Sequence, residues 1–130
     1  MHASRCRTAL LATFLMLACA PGFAIAADCE RALAFAATVA DYGQHAMASQ
    51  NQVEASNFAG DARIPAIDAA QQAKACGCPE AIPFLAEAAR DAARANVTSN
   101  LTAAQQYGAG IRKHADAAVD ALRRCTARRP

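Results

Sequence analysis

The sequence predicts an all-α fold of two tandem antiparallel helical hairpins, four helices in all, internally duplicated and each clamped by one disulfide. Three observations lead there. After residue 26 the chain is dominated by alanine, with Glu, Gln, Arg, Lys and Leu around it, all good helix formers. Four cysteines in that region mark two equal intervals, Cys29 to Cys76 and Cys78 to Cys125, each of 47 positions. A shift that carries Cys29 onto Cys78 overlays the first interval on the second without a gap.

The leader comes first. Arg5 and Arg7 form a positive segment, and Thr8 to Ala20 is an apolar run without a charge. Pro21 and Gly22 break that run, and Ala24-Ile25-Ala26 places small residues before a cut at Ala27. This is the layout of a cleaved secretory signal peptide over residues 1–26, with an apolar run too short to span a bilayer. A retained N-terminal anchor is disfavoured because the cleavage site follows so closely. Lipidation at Cys19 is an alternative processing route, but Met16 stands where such boxes usually carry Leu. The expected location is the periplasm or the extracellular space, with no stable transmembrane segment after processing. The Ala- and Arg-rich composition points to a bacterial source.

Losing residues 1–26 removes Arg5 and Arg7, so the whole-chain formal charge of +2 falls to zero. The electrostatic case for nucleic acid or a membrane surface as partner falls with it. Only the tail, 126–130 with Arg123 and Arg124 before it, is locally basic, and this reads as charge at a helix C-terminus plus a frayed end. Cys6 and Cys19 leave with the leader. An even set of four cysteines in a small exported chain reads as a disulfide framework. The core needs that help: there is no Trp, large apolar side chains are few, and a disulfide supplies about 2–4 kcal/mol.

Residues 27–130 form one Ala-rich helical domain, with repeat 1 at 29–76 and repeat 2 at 78–125. Beyond the cysteines the overlay pairs Leu33 with Ile82, Phe35 with Phe84, Asn51 with Asn100, Phe58 with Tyr107, and Arg63 with Arg112. Apolar residues recur at three and four, as in Phe35, Val39 and Tyr42, or Tyr107, Ile111, Ala115, Ala118 and Leu122. Each series gives one helix stripe broadened by alanine.

The paired asparagines place the turns. Asn tolerates the left-handed conformation that ends a helix, and Thr102 to Gln105 fits a capping box. Helices of roughly 20 residues, about 30 Å long, are therefore expected near 30–49, 54–75, 79–98 and 103–124. Arms of near-equal length bring Cys29 to Cys76 and Cys78 to Cys125. Gly60, Asp61 and Pro65 argue against this, as do Gly108 and Gly110 at the matching height. They allow unequal arms turning near Asn57 and Gln106, which would hold Cys29 and Cys76 about 20 Å apart, too far to bond.

Cys76-Gly77-Cys78 is the sharpest local motif. It admits a redox-active pair or a soft-metal site, since thiolates favour copper(I) and zinc. No histidine or further cysteine lies near it in sequence, however, and Cys29 and Cys125 account for both thiols, so a glycine-hinged junction between two clamped hairpins is preferred. Met47 with His114 invites a haem reading, but Met47 is expected near a hairpin tip and His114 within a helix. His45 and His114 read as surface residues. Asp116 and Asp120, among Arg112, Lys113 and Arg123, read as a solvated, salt-bridged face. Ser49, Ser56 and Ser99 suggest no nucleophile arrangement. The Asn96 and Asn100 sequons are discounted in a bacterial chain.

No catalytic residue, cofactor or metal ligand is expected, and no family pattern fits closely enough to transfer a role. The expected function is a non-enzymatic structural or protein-binding role in the cell envelope. The alternatives are a thiol redox or soft-metal protein centred on Cys76-Gly77-Cys78, and an immunity or inhibitor protein. The thin apolar stripes also leave room for a homodimer.

Overall fold

A computed structural model describes residues 21–129, with side chains from residue 26. The expected signal-peptide core, with Arg5, Cys6, Arg7 and Cys19, lies outside the described residues. Helix α1 spans Pro21–Ala48, α2 Gln52–Asp61, α3 Arg63–Ala75, α4 Ile82–Asn96 and α5 Leu101–Ala127, with a single 3₁₀ turn at Pro79–Ala81. No strand occurs among the described residues. The helices run as four antiparallel arms: α1, then α2 with α3, then α4, then α5. Arm α1 packs against α2, α3 and α5, and α4 packs against α2, α3 and α5.

The equal arms are the observed arrangement. Pro65 does interrupt the second arm, but only at one residue. Lacking an N–H, it leaves the Asp61 carbonyl without its helical donor. The break falls at Ala62, whose N–H turns to the Ala59 and Gly60 carbonyls. Pro65 then sits in the first turn of α3, where a missing donor costs least. Gly108 and Gly110 interrupt nothing, because α5 runs through both.

The asparagines mark the turns, though by a different mechanism from the one expected. Neither is left-handed: Asn51 has φ −120° and Asn100 φ −115°. Each is an N-cap. The Asn51 side-chain oxygen accepts from the Val53 and Glu54 N–H groups, at 2.9 and 3.2 Å. The Asn100 oxygen accepts from Ala103 N–H at 2.9 Å. Thr102 lies inside α5, so its capping box does not form; Gln105 instead donates to the Ser49 carbonyl at 2.8 Å. Replacing Asn51 or Asn100 by Ala should cost about 1 kcal/mol each, read from urea unfolding. Equal stability of either variant and the parent would show that water caps the helix as well.

The duplication extends to burial. Ala36 and Leu85, Val39 and Ala88, Gly43 and Ala92, Ala62 and Ile111, and Ala73 and Leu122 are equivalent pairs, and all are buried. The bundle tips repeat a bonding pattern as well. Gln105 reaches the Ser49 carbonyl of the other hairpin, and Gln52, bonded to Ser56, reaches the Thr98 carbonyl at 2.8 Å. Ser49 and Thr98 are equivalent, as are Ser56 and Gln105.

The core forms two layers. One surrounds the four cysteines and includes Leu85 and Leu122; the other lies toward the tips around Val39 and Ile111. Alanine fills most of the rest, so the helices can approach closely. The approach is tightest between Gly43 and Gly108, where a Cβ on Gly43 would lie 2.8 Å from the Gly108 carbonyl oxygen.

Candidate functional site

The best-defined chemical feature is the end of the bundle where all four cysteines meet. Helix α3 ends at Cys76 in a Schellman motif: the Gly77 N–H donates to the Lys74 carbonyl and the Cys78 N–H to the Ala73 carbonyl. Gly77 has φ +73°, the left-handed conformation this motif requires. That geometry places Cys76 and Cys78 either side of one glycine, each facing the core. Cys29, from α1, stands at disulfide distance from Cys76, with Cα atoms 5.1 Å apart. Cys125, from α5, stands likewise with Cys78 at 5.9 Å. Both separations suit a disulfide.

The two pairs are not isolated from each other. The sulfurs of Cys29, Cys76 and Cys78 lie within 4.8 Å of one another, and all three residues are buried. The sequence already brings Cys29 and Cys125 to this end as expected disulfide partners; the fold adds that three of the sulfurs form one cluster. It also supplies Arg129, whose guanidinium donates to the Cys76 carbonyl. Its nitrogens lie 3.7 Å from the Cys29 sulfur, 3.7 Å from Cys78 and 3.9 Å from Cys125. Arg128 pairs with Glu80 at 3.2 Å. The tail expected to fray is helical through Ala127 and folds over the sulfurs. One signal for Arg129 was legible: it follows Cys125 by one helical turn, on the same face.

The other candidates lie apart. His45 stacks on Phe58, with ring centroids 5.1 Å apart. His114 faces Asp91 across the α4–α5 contact at 3.8 Å. The two histidines therefore have separate partners, and Met47 is exposed. Arg112 pairs with Asp116 at 3.2 Å on an exposed face, as the spacing predicts. Ser49 bonds back to the His45 carbonyl, and Ser56 lies in the cross-hairpin contact.

Asp91 was not singled out by the sequence. Burial raises its carboxyl above the ordinary aspartate range, against the opposing pull of His114 and Arg94 and with a small push from Glu87. The folded chain therefore holds this proton better than the unfolded chain. That contribution is complete below the unfolded value and is lost as pH rises through the folded one. Asp91→Asn should raise the melting temperature relative to the parent more at pH 7 than at pH 3. The same increment at both pH values would show that Asp91 titrates alike folded and unfolded.

The fold and this cluster define a class by geometry: a duplicated helical-hairpin bundle with its sulfurs gathered at one end under an arginine. Compared with known proteins, the chain matches no family model, no curated protein and no solved structure.

Proposed function

We propose that the chain is an exported, non-enzymatic helical protein that serves the cell envelope by binding another protein. The observation that carries this reading is the open groove between α3 and α4. It is lined by Ile67, Ala70, Lys74, Ile82, Leu85 and Ala89, and is almost wholly apolar. Ile64, one turn before Ile67, is 64% exposed and lines the next pocket along, between the start of α3 and the end of α4. A groove between two helices suits the apolar face of an amphipathic helix. Lys74, at the cysteine end, asks for an acidic residue on that helix. Two features support export: the leader-like layout of residues 1–26, and cysteine pairs at disulfide distance, which fit an oxidising compartment. No helix among the described residues is long and apolar enough to cross a membrane.

Photocrosslinking from position 67 in intact cells tests the reading. The expected result is one identified envelope protein joined through a helix with apolar and acidic residues, and loss of the adduct on Ile64→Asp. An adduct between two copies would place the structural role in a homodimer. No specific adduct, or one indifferent to Ile64→Asp, would remove the groove as a binding surface. Export is checked separately by N-terminal sequencing of the envelope form, expected to begin at Ala27.

A further inference from the structure

We propose that Cys29, Cys76 and Cys78, with Cys125 as an optional fourth ligand, form a redox-gated site for one d¹⁰ cation, zinc(II) or copper(I), filled when the two sulfur pairs are reduced. The proposal is independent of the groove. Thiolates bind zinc at about 2.3 Å, which for a tetrahedron sets the sulfurs about 3.8 Å apart. The sulfurs of Cys29, Cys76 and Cys78 already lie within 4.8 Å of one another. Reduction of the Cys29–Cys76 link frees those two sulfurs to separate to that spacing. Cys125 stands outside that group but is bonded to Cys78, so its freed sulfur is the candidate fourth ligand.

The surroundings fit such a site. Cys76 and Cys78 come from one rigid Schellman turn, and Cys29 and Cys125 from the two long helices that flank it. Zinc with four thiolates, or copper(I) with three, carries two net negative charges. The Arg129 guanidinium, 3.7 Å from both the Cys29 and Cys78 sulfurs, offsets one of them. With Cys125 engaged no coordination position is left open, so the site would hold a cation rather than present it to a substrate.

Switching between the two states balances. Each disulfide takes two electrons and two protons from a dithiol reductant. One S–S bond breaks, two thiols form, and the dithiol becomes its own disulfide. Cation binding then releases the protons of the thiols that ligate. In the return step a disulfide oxidant takes two electrons from each pair and is itself reduced to two thiols with two protons from solvent, the protein S–S bond re-forms, and the cation leaves.

The test uses the intact chain, reduced with a phosphine under anaerobic conditions and titrated separately with zinc(II), copper(I) and cobalt(II). The expected result is one cation per chain, with a tetrahedral-thiolate absorption spectrum for cobalt, and no binding by the oxidised chain. Cys29→Ala should weaken binding at least as strongly as Arg129→Ala, which should weaken it about 10-fold with Arg129→Lys restoring part of the loss. Arg129→Ala retains every sulfur, so it remains informative if the cysteine variants fail to fold. Loss of binding in Cys125→Ala assigns a four-sulfur site of the zinc type, and retention a three-sulfur site of the copper(I) type; either supports the proposal. If reduction alone melts the helices, one equivalent of cation should restore the far-ultraviolet dichroism, and failure to restore it overturns the proposal. So does binding of several cations per chain, or an affinity indifferent to both Cys29 and Arg129.

Discussion

Replacing Cys29 and Cys76 together by Ala should lower the unfolding free energy by about 4 kcal/mol, the loop-entropy value for a link between residues 47 positions apart. Few replacements elsewhere in this chain should cost as much. The largest fully buried side chains besides the cysteines are Leu85, Ile111, Leu122 and Val39, and most remaining core positions are alanine. Small domains are stable by only about 5–15 kcal/mol in total, so one such link is a large share. The second pair, Cys78 with Cys125, closes a loop that shares no residue with the first, and its removal should cost about the same. Urea unfolding with and without reductant measures both. A parent protein unmoved by reductant would remove the clamp altogether. The single variant Cys29→Ala checks the pairing: alkylation should mark Cys76, whereas a marked Cys78 would reveal a bond crossing between hairpins.

How much of this was legible depended on whether a feature is local or pairwise. The equal cysteine intervals agreed with equal arms, because a hairpin that turns near its middle brings its ends together, but they left unequal arms open. Asn51 and Asn100 located those turns for the same local reason: a short polar side chain competes with the helix backbone for its own neighbours. What one sequence left open was which end of a helix the asparagine serves. The left-handed stop and the N-cap use the same residue, and only backbone φ separates them. Pro65 carried a second ambiguity, since a proline can end an arm or open its next segment. Asp91 and most of the contacts of Arg129 were hidden for another reason. Only Cys125, one turn before Arg129, is near in sequence; the Cys29 sulfur, and His114 for Asp91, are distant. Nothing in periodicity reports that a tail folds back or that a carboxylate loses water.

Gly43 and Gly108 are the extreme of that pairwise case, and they lead to the second large effect. On an isolated helix Gly→Ala stabilises by about 1 kcal/mol, because alanine loses less backbone entropy. At Gly43 the sign should reverse. A Cβ there would lie 2.7 Å from the Arg112 backbone nitrogen and 2.8 Å from the Gly108 carbonyl oxygen. Both are main-chain atoms of α5, and no rotamer change can move them. A Cβ on Gly108 would lie 2.7 Å from the Ala46 Cβ and 3.0 Å from the Gly43 carbonyl oxygen, so α1 and α5 block each other mutually. Either substitution must push the two longest helices apart and should cost about 1–3 kcal/mol net. Gly60 is the control. Its Cβ would meet the Asn96 side-chain oxygen at 2.8 Å, but Asn96 is exposed and its amide can swing into solvent. Gly60→Ala should therefore be neutral or stabilising by up to about 1 kcal/mol. The opposite signs, measured side by side by thermal unfolding, are the test. If Gly43→Ala and Gly108→Ala both stabilise as Gly60→Ala does, α1 and α5 do not touch through backbone. If all three destabilise alike, helix propensity and crowding cannot be separated in this alanine-rich bundle, and the close approach loses its claim to set the helix spacing.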